Sequence, residues 1–190
     1  SQEEIKEAAN LGLKLISNYD TQFILGYPPN YEPGKEDSIA ALAKSKGIAE
    51  LEVIYDEFLK NEGTNLVYAC FTPYDNHKLD FVERAYSLKS SVAGGSDGGA
   101  HCGLICDASM PTTNLSHWAR DREAGKKIPI ELIVRKQTKD TAETYGLFDR
   151  GEIKTGMLAD LNIIDFEKLN VTHPKMVYDL PLGGRRVIQT

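Results

Sequence analysis

The chain has 190 residues, 41% of them hydrophobic and 26% charged, with a formal charge of -6 at pH 7. It is long enough to bury a real core as one domain or a little more. The acidic balance argues against a nucleic-acid or anionic-membrane binder, and no apolar run approaches the roughly 20 residues that span a bilayer. Three cysteines, Cys70, Cys102 and Cys106, are an odd set with no paired framework. Reduced thiols and a cytoplasmic location are therefore expected. The chain opens at Ser1 with no initiator Met, the mark of a processed chain or a piece of a longer one.

In chain order, Ile5, Ala8, Ala9, Gly12, Leu13 and Ile16 predict an amphipathic helix from Ser1 to about Ser17. Phe23, Ile24 and Leu25 read as a short strand, and the three prolines between Tyr27 and Gly34 as a loop. A helix starts at Asp37 or Ser38 and ends at Gly47. A second carries Leu51, Ile54, Tyr55, Phe58 and Leu59 on one face. Leu66 to Phe71 is a buried-type strand, Pro73 and Asp75 open a further helix, and Ser91 to Asp97 is the next strand.

Strands separated by helices in this way predict parallel βα units. Thr112 to Lys127 reads as a polar helix holding Trp118, and Pro129 to Tyr145 as another. From Gly151 the pattern alternates, through Ile153, the turn Lys154-Thr155-Gly156 and then Ala159 to Asp165, as in a half-exposed strand. We therefore expect two parts, an α/β domain at 1–148 and a shorter β segment at 149–190. No internal repeat or low-complexity segment is present.

The segment SVAGGSDGGAH, Ser91 to His101, stands out. Asp97 ends an apolar run and is flanked by glycines, which let backbone or ligand approach because they carry no Cβ. One reading is a turn acid capping the next helix. The other is a site carboxylate, since ligands in parallel α/β arrays sit at the carboxyl ends of strands. The same rule puts the loop after Leu25 and the turn at Thr72 to Asp75 on that face.

His101, Cys102, Cys106, Asp107 and His117 crowd the following loop. A closed structural zinc site needs a second ligand pair that is not there. His101 is either a substrate contact or a loop histidine bonded to backbone. His117 beside Trp118 reads as structural, and His77 and His173 as solvated. A Ser96–His101–Asp107 triad can be assembled on paper, but no G-x-S-x-G elbow supports it. No P-loop or dinucleotide fingerprint is present.

GGSDGGAHCGLICDASMPTTNLSHWARDR, Gly94 to Arg122, resembles the last barrel strand and following loop of the N-acyl-D-amino-acid deacylase (D-aminoacylase-like) branch of the amidohydrolase superfamily. TAETYGLFDRGEIKTGMLADLNIIDFEKL, Thr141 to Leu169, is similar to the stretch by which such enzymes leave the barrel for a small β-sandwich.

The resemblance implies an α/β fold, the C-terminal part of a metal-dependent TIM-type barrel (about three βα units) followed by a partial sandwich. It implies a zinc cofactor and an N-acyl amino acid as small-molecule substrate. Asp97 is implied as metal ligand and catalytic acid/base, with Ser96, Gly98, Gly99 and His101 around the substrate. No His-x-His pair occurs in the chain. The chain is thus expected to be an incomplete portion, weak in zinc and inactive alone, and to self-associate through uncovered barrel edges. The reading from a different class is a non-catalytic fragment or interaction protein that keeps part of the fold without the metal site.

Overall fold

The computed structural model describes residues 17–70, 74, 77–98, 103 and 107–189. The helix expected at Ser1 to Ser17 lies almost entirely outside these residues. The chain divides into two compact units, Ser1–Leu79 and Asp80–Thr190.

In the first unit, β1 (Gln22–Ile24) is followed by α1 (Ile39–Lys46), α2 (Glu50–Phe58) and β2 (Val67–Ala69). Ser38 caps α1, its Oγ accepting from Ala41 N–H at 3.2 Å, and Gly47 ends the helix in the left-handed region. Ile39, Ala43 and Val53 form the buried centre, with Tyr19, Ile24, Leu42, Ile48 and Ile54 packed around it. In α2 it is Val53 and Glu57 that are buried, while Leu51, Tyr55 and Leu59 face outward. The buried Glu57 carboxylate accepts from Lys60 Nζ at 2.7 Å and Asn65 Nδ2 at 2.6 Å, which offsets its desolvation.

β1 and β2 pair antiparallel, with Gln22 opposite Ala69, Phe23 opposite Tyr68 and Ile24 opposite Val67. This corrects the parallel arrangement expected from the strand–helix alternation. One intervening helix returns a chain to the end where it started, as a parallel crossover requires. Two helices in succession bring it back from the opposite end, so the second strand runs the other way.

In the second unit, α3 (Asp80–Ser87) precedes the Ser91–Gly98 segment. α4 (Met110–Thr113) runs on into π-helical turns at Asn114–Asp121. α5 (Ile130–Gln137) and α6 (Lys139–Thr144) follow, and a hairpin of β3 (Lys175–Leu180) and β4 (Gly184–Ile188) closes the unit.

The single helix expected over Pro129 to Tyr145 is broken at Thr138, which has φ -119° and ψ -87°. Its hydroxyl donates back to Val134 O at 2.7 Å, a local bond that competes with the helical ladder. The strand expected near Leu161 to Asp165 does not form. Ile153 and Ile163 there are almost fully exposed, and the neighbouring backbone closes local turns, such as Leu158 N–H to Asp149 O at 2.7 Å. Alternation alone does not make a strand when no neighbour supplies the ladder. The strand expected at Ser91–Asp97 likewise has no sheet partner among the described residues. Pro181–Gly183 forms the turn between β3 and β4.

Arg122 is the largest fully buried side chain among the described residues, 1% exposed. Its guanidinium lies over the Trp118 ring at 4.7 Å, donates to Lys126 O at 2.7 Å and pairs with Asp80 at 2.8 Å. A Cβ at position 125 would stand 2.6 Å from that guanidinium, so glycine there makes room for it. The π-helical turns bring Arg122 into place: its N–H reaches His117 O, five residues back, at 2.8 Å.

Asp80→Asn is expected to lower unfolding free energy by about 2–3 kcal/mol, less than for a fully buried pair because Asp80 is half exposed. The urea midpoint reads it, and an unchanged midpoint would contradict the assignment.

Candidate functional site

Asp97 lies in the second unit, at the exposed end of the Ser91–Gly98 segment. The segment is built from small residues that cannot form a packed wall. Ser91 at its start is tied back to α3, donating to Leu88 O at 2.9 Å and also bonding Ala85 O. Gly95 has φ +78°, a left-handed conformation that glycine adopts without strain. Among the described residues nothing lies within 4 Å of where a Cβ would stand at Gly94, Gly95 or Gly98.

Further along the chain, Asp107–Ser109 forms a short 3-10 turn leading into α4. The Ser96 hydroxyl donates to Ala108 O at 3.2 Å. That contact brings the Asp97 and Asp107 carboxylates into mutual range. Burial, and then the negative charge of Asp97, push the Asp107 carboxyl above its ordinary value. A pair of carboxylates so placed can accept, hold and return a proton, or contribute oxygen ligands to a cation.

Ser96, Asp97 and Gly98 therefore fall together at the open end of the segment. Gly99, His101, Cys102 and Cys106 lie outside the described residues, and so do Thr72, Pro73 and Asp75. His117 sits in the π-helical turns with its ring edge-on to Trp118 at 5.3 Å, in keeping with a structural role. His77 and His173, read as solvated, are both engaged. His77 Nε2 is 3.0 Å from Asp20 O with its ring against Phe23 and Tyr74, and His173 Nδ1 is 2.8 Å from Pro174 O.

Among the described residues no group of three or more His, Cys, Asp and Glu side chains is placed to hold a metal ion. Catalytic zinc takes about three protein ligands. Asp97 and Asp107 alone do not make that set.

Sequence reasoning passed over α5 and α6, which lie directly beside the Asp97 segment. Lys136 is 3% exposed, and Nζ donates to Leu88 O at 2.7 Å and Ser91 O at 2.6 Å, with Asp140 Oδ2 at 3.4 Å. The Thr141 hydroxyl lies 3.1 Å from Ala93 O and 2.6 Å from Lys136 O. A signal was available: Lys136 follows the buried Ile133 by three positions, on the same helix face.

An amidohydrolase family model matches residues 30–189 of the chain. No curated protein and no solved structure matches it.

The raised Asp107 carboxyl carries a sign that can be tested. The folded state holds its proton more tightly than the unfolded chain, so stability falls as pH rises through the ordinary carboxylate value of 3.8 and above. Asp107→Asn should remove that component, giving a shallower fall of the urea midpoint across this range. An identical slope in the variant would show that neither partial desolvation nor the Asp97 charge perturbs Asp107.

Proposed function

The chain belongs to the amidohydrolase family, and from that premise we propose that it serves a hydrolase cleaving the C–N amide bond of N-acyl-D-amino acids. The supporting observation is Asp97, an exposed carboxylate between glycines, within the matched residues. Its role is acid/base. Asp97 accepts a proton from the water whose oxygen bonds to the acyl carbon. It then passes that proton to the amine nitrogen as the C–N bond breaks, leaving a carboxylic acid and a free amino acid. Ser96 holds the segment through Ala108. Gly98, Gly99 and His101 surround the substrate in this reading.

Zinc is the metal that the reading calls for, with Asp97 as one ligand. The described residues do not complete its ligand set, so the reading takes the others from outside them. The mixed helix and strand content fits an α/β fold. We take its barrel part to be about three βα units of a TIM-type barrel, within 1–148, with the sandwich segment beginning at 149. No helix among the described residues is long and apolar enough to cross a membrane, and we place the protein in the cytoplasm.

Two measurements test this. An amine-release assay with N-acyl-D-amino acids, run on the longest open reading frame containing this chain, should lose at least about a hundredfold in turnover on Asp97→Asn, the usual range for removing a general acid/base. Retained turnover would end the assignment and favour the non-catalytic reading. The 190-residue chain by itself should retain far less than one zinc per chain after dialysis. Stoichiometric zinc would overturn the incomplete ligand set.

Association is the other expectation. Ile153, Ile163 and Leu182 are almost fully exposed, and apolar surface left in water favours pairing with a second copy. Light scattering should give a mass above the 21.1 kDa of one chain. A clean monomer at high concentration would refute it.

A further inference from the structure

The segment that carries Asp97 has no strand beside it among the described residues, and two of its backbone carbonyls, at Ser91 and Ala93, face side-chain donors instead. Leu88 O and Ser91 O accept from Lys136 Nζ, and Ala93 O lies against the Thr141 hydroxyl. At the far end Ser96 is joined to Ala108. Between the two anchorages lie Gly94 and Gly95, and among the described residues nothing stands within 4 Å of where a Cβ would be at either.

We propose that Lys136 and Thr141 are positioning residues that set where the Asp97 carboxylate stands, a role that rests on the acid/base reading of Asp97. Three features single them out. Lys136 is a buried side chain, 3% exposed, whose donors are all directed at protein oxygens. Two of those donors go to this segment and its approach, and the third faces Asp140. Asp140 is held in turn by Arg135 Nε at 2.8 Å, so the anchor is itself braced. Thr141 adds a contact one turn further along, at Ala93, four residues before Asp97. Ser91 and Ala93 are thereby fixed against α5 and α6 at the base of the segment that ends in Asp97.

The test uses the isotope-labelled chain and reads the side-chain carboxyl carbon of Asp97 and the backbone amides of Ser91–Gly98 by NMR. Lys136→Met removes the two donors at similar volume, and Thr141→Val removes only the hydroxyl. Both should shift the Asp97 carboxyl signal and the segment amides while the β3–β4 hairpin signals stay in place. Thr141→Ser should restore them. Asp97 signals unmoved in the folded variants would overturn the proposal, as would a shift that Thr141→Ser fails to reverse. If Lys136→Met does not fold, the Thr141 pair decides alone.

In the amine-release assay the same variants should lose about tenfold to a hundredfold in kcat with KM unchanged, as expected when a reacting group is misplaced. Loss in KM alone would overturn the positioning role. The Asp97→Asn assay judges the catalytic reading and the spectra judge the anchor, so each can fail without the other.

Discussion

A peptide carbonyl that leaves water needs a donor, and in the Ser91–Gly98 region a strand ladder does not provide one among the described residues. The second unit meets that requirement with side chains. Lys136 donates to the Leu88 and Ser91 carbonyls, the Thr141 hydroxyl lies between Lys136 O and Ala93 O, and Ser96 links the other end to Ala108. Much of the local arrangement follows. α5 must present Lys136 inward, α6 must begin soon enough to bring Asp140 and Thr141 alongside, and the break at Thr138 lies between them. Asp97 can then remain exposed at the end of a segment whose base is held.

Buried charge is handled in the same way elsewhere. Arg122 is matched by Asp80, by the Lys126 carbonyl and by the face of Trp118. Glu57 takes a lysine and an asparagine, and Glu32 accepts the Leu79 N–H at 2.9 Å. In each case a chain segment is fixed by what the charge requires. The Arg122 group ties the start of α3 to the end of the π-helical turns, and so sets the two elements that lead into and out of the candidate site. Arg120 acts similarly at the surface, donating to Leu169 O at 2.6 Å and to Phe166 O, which holds the tail against the same turns. These are contacts between distant parts of the chain, and their partners are ordinary backbone carbonyls with no sequence signature.

Local signals in the sequence were read well where the structure depends on local chemistry. Ser38 as a cap, Gly47 as a stop, the apolar run at Phe23 and the start of a helix after Pro129 all depend on a few adjacent residues. Asp97 between glycines was legible for the same reason: small residues beside an acid are visible without any partner. The π-helical turns, the break at Thr138 and the outward face of α2 were not legible, because hydrophobic periodicity does not record which hydrogen bonds or packing partners the folded chain selects. Thr138 looks like an ordinary helical residue until its hydroxyl is seen on Val134 O.

By itself the sequence determined the class of chain, the places where helices begin and end, the family resemblance and the one carboxylate worth following. These depend on composition, on adjacent residues and on motif order, which are present before folding. Strand direction, the absence of a ladder at 161–165, the proximity of Asp107 to Asp97 and the burial of Lys136 were decided only in three dimensions. Hydrogen-bond partners and desolvation depend on which distant segments meet, and no local pattern records that. For Asp97 the division is clear: its identity could be read from its neighbours, while what holds it in place comes from residues some 40 positions away.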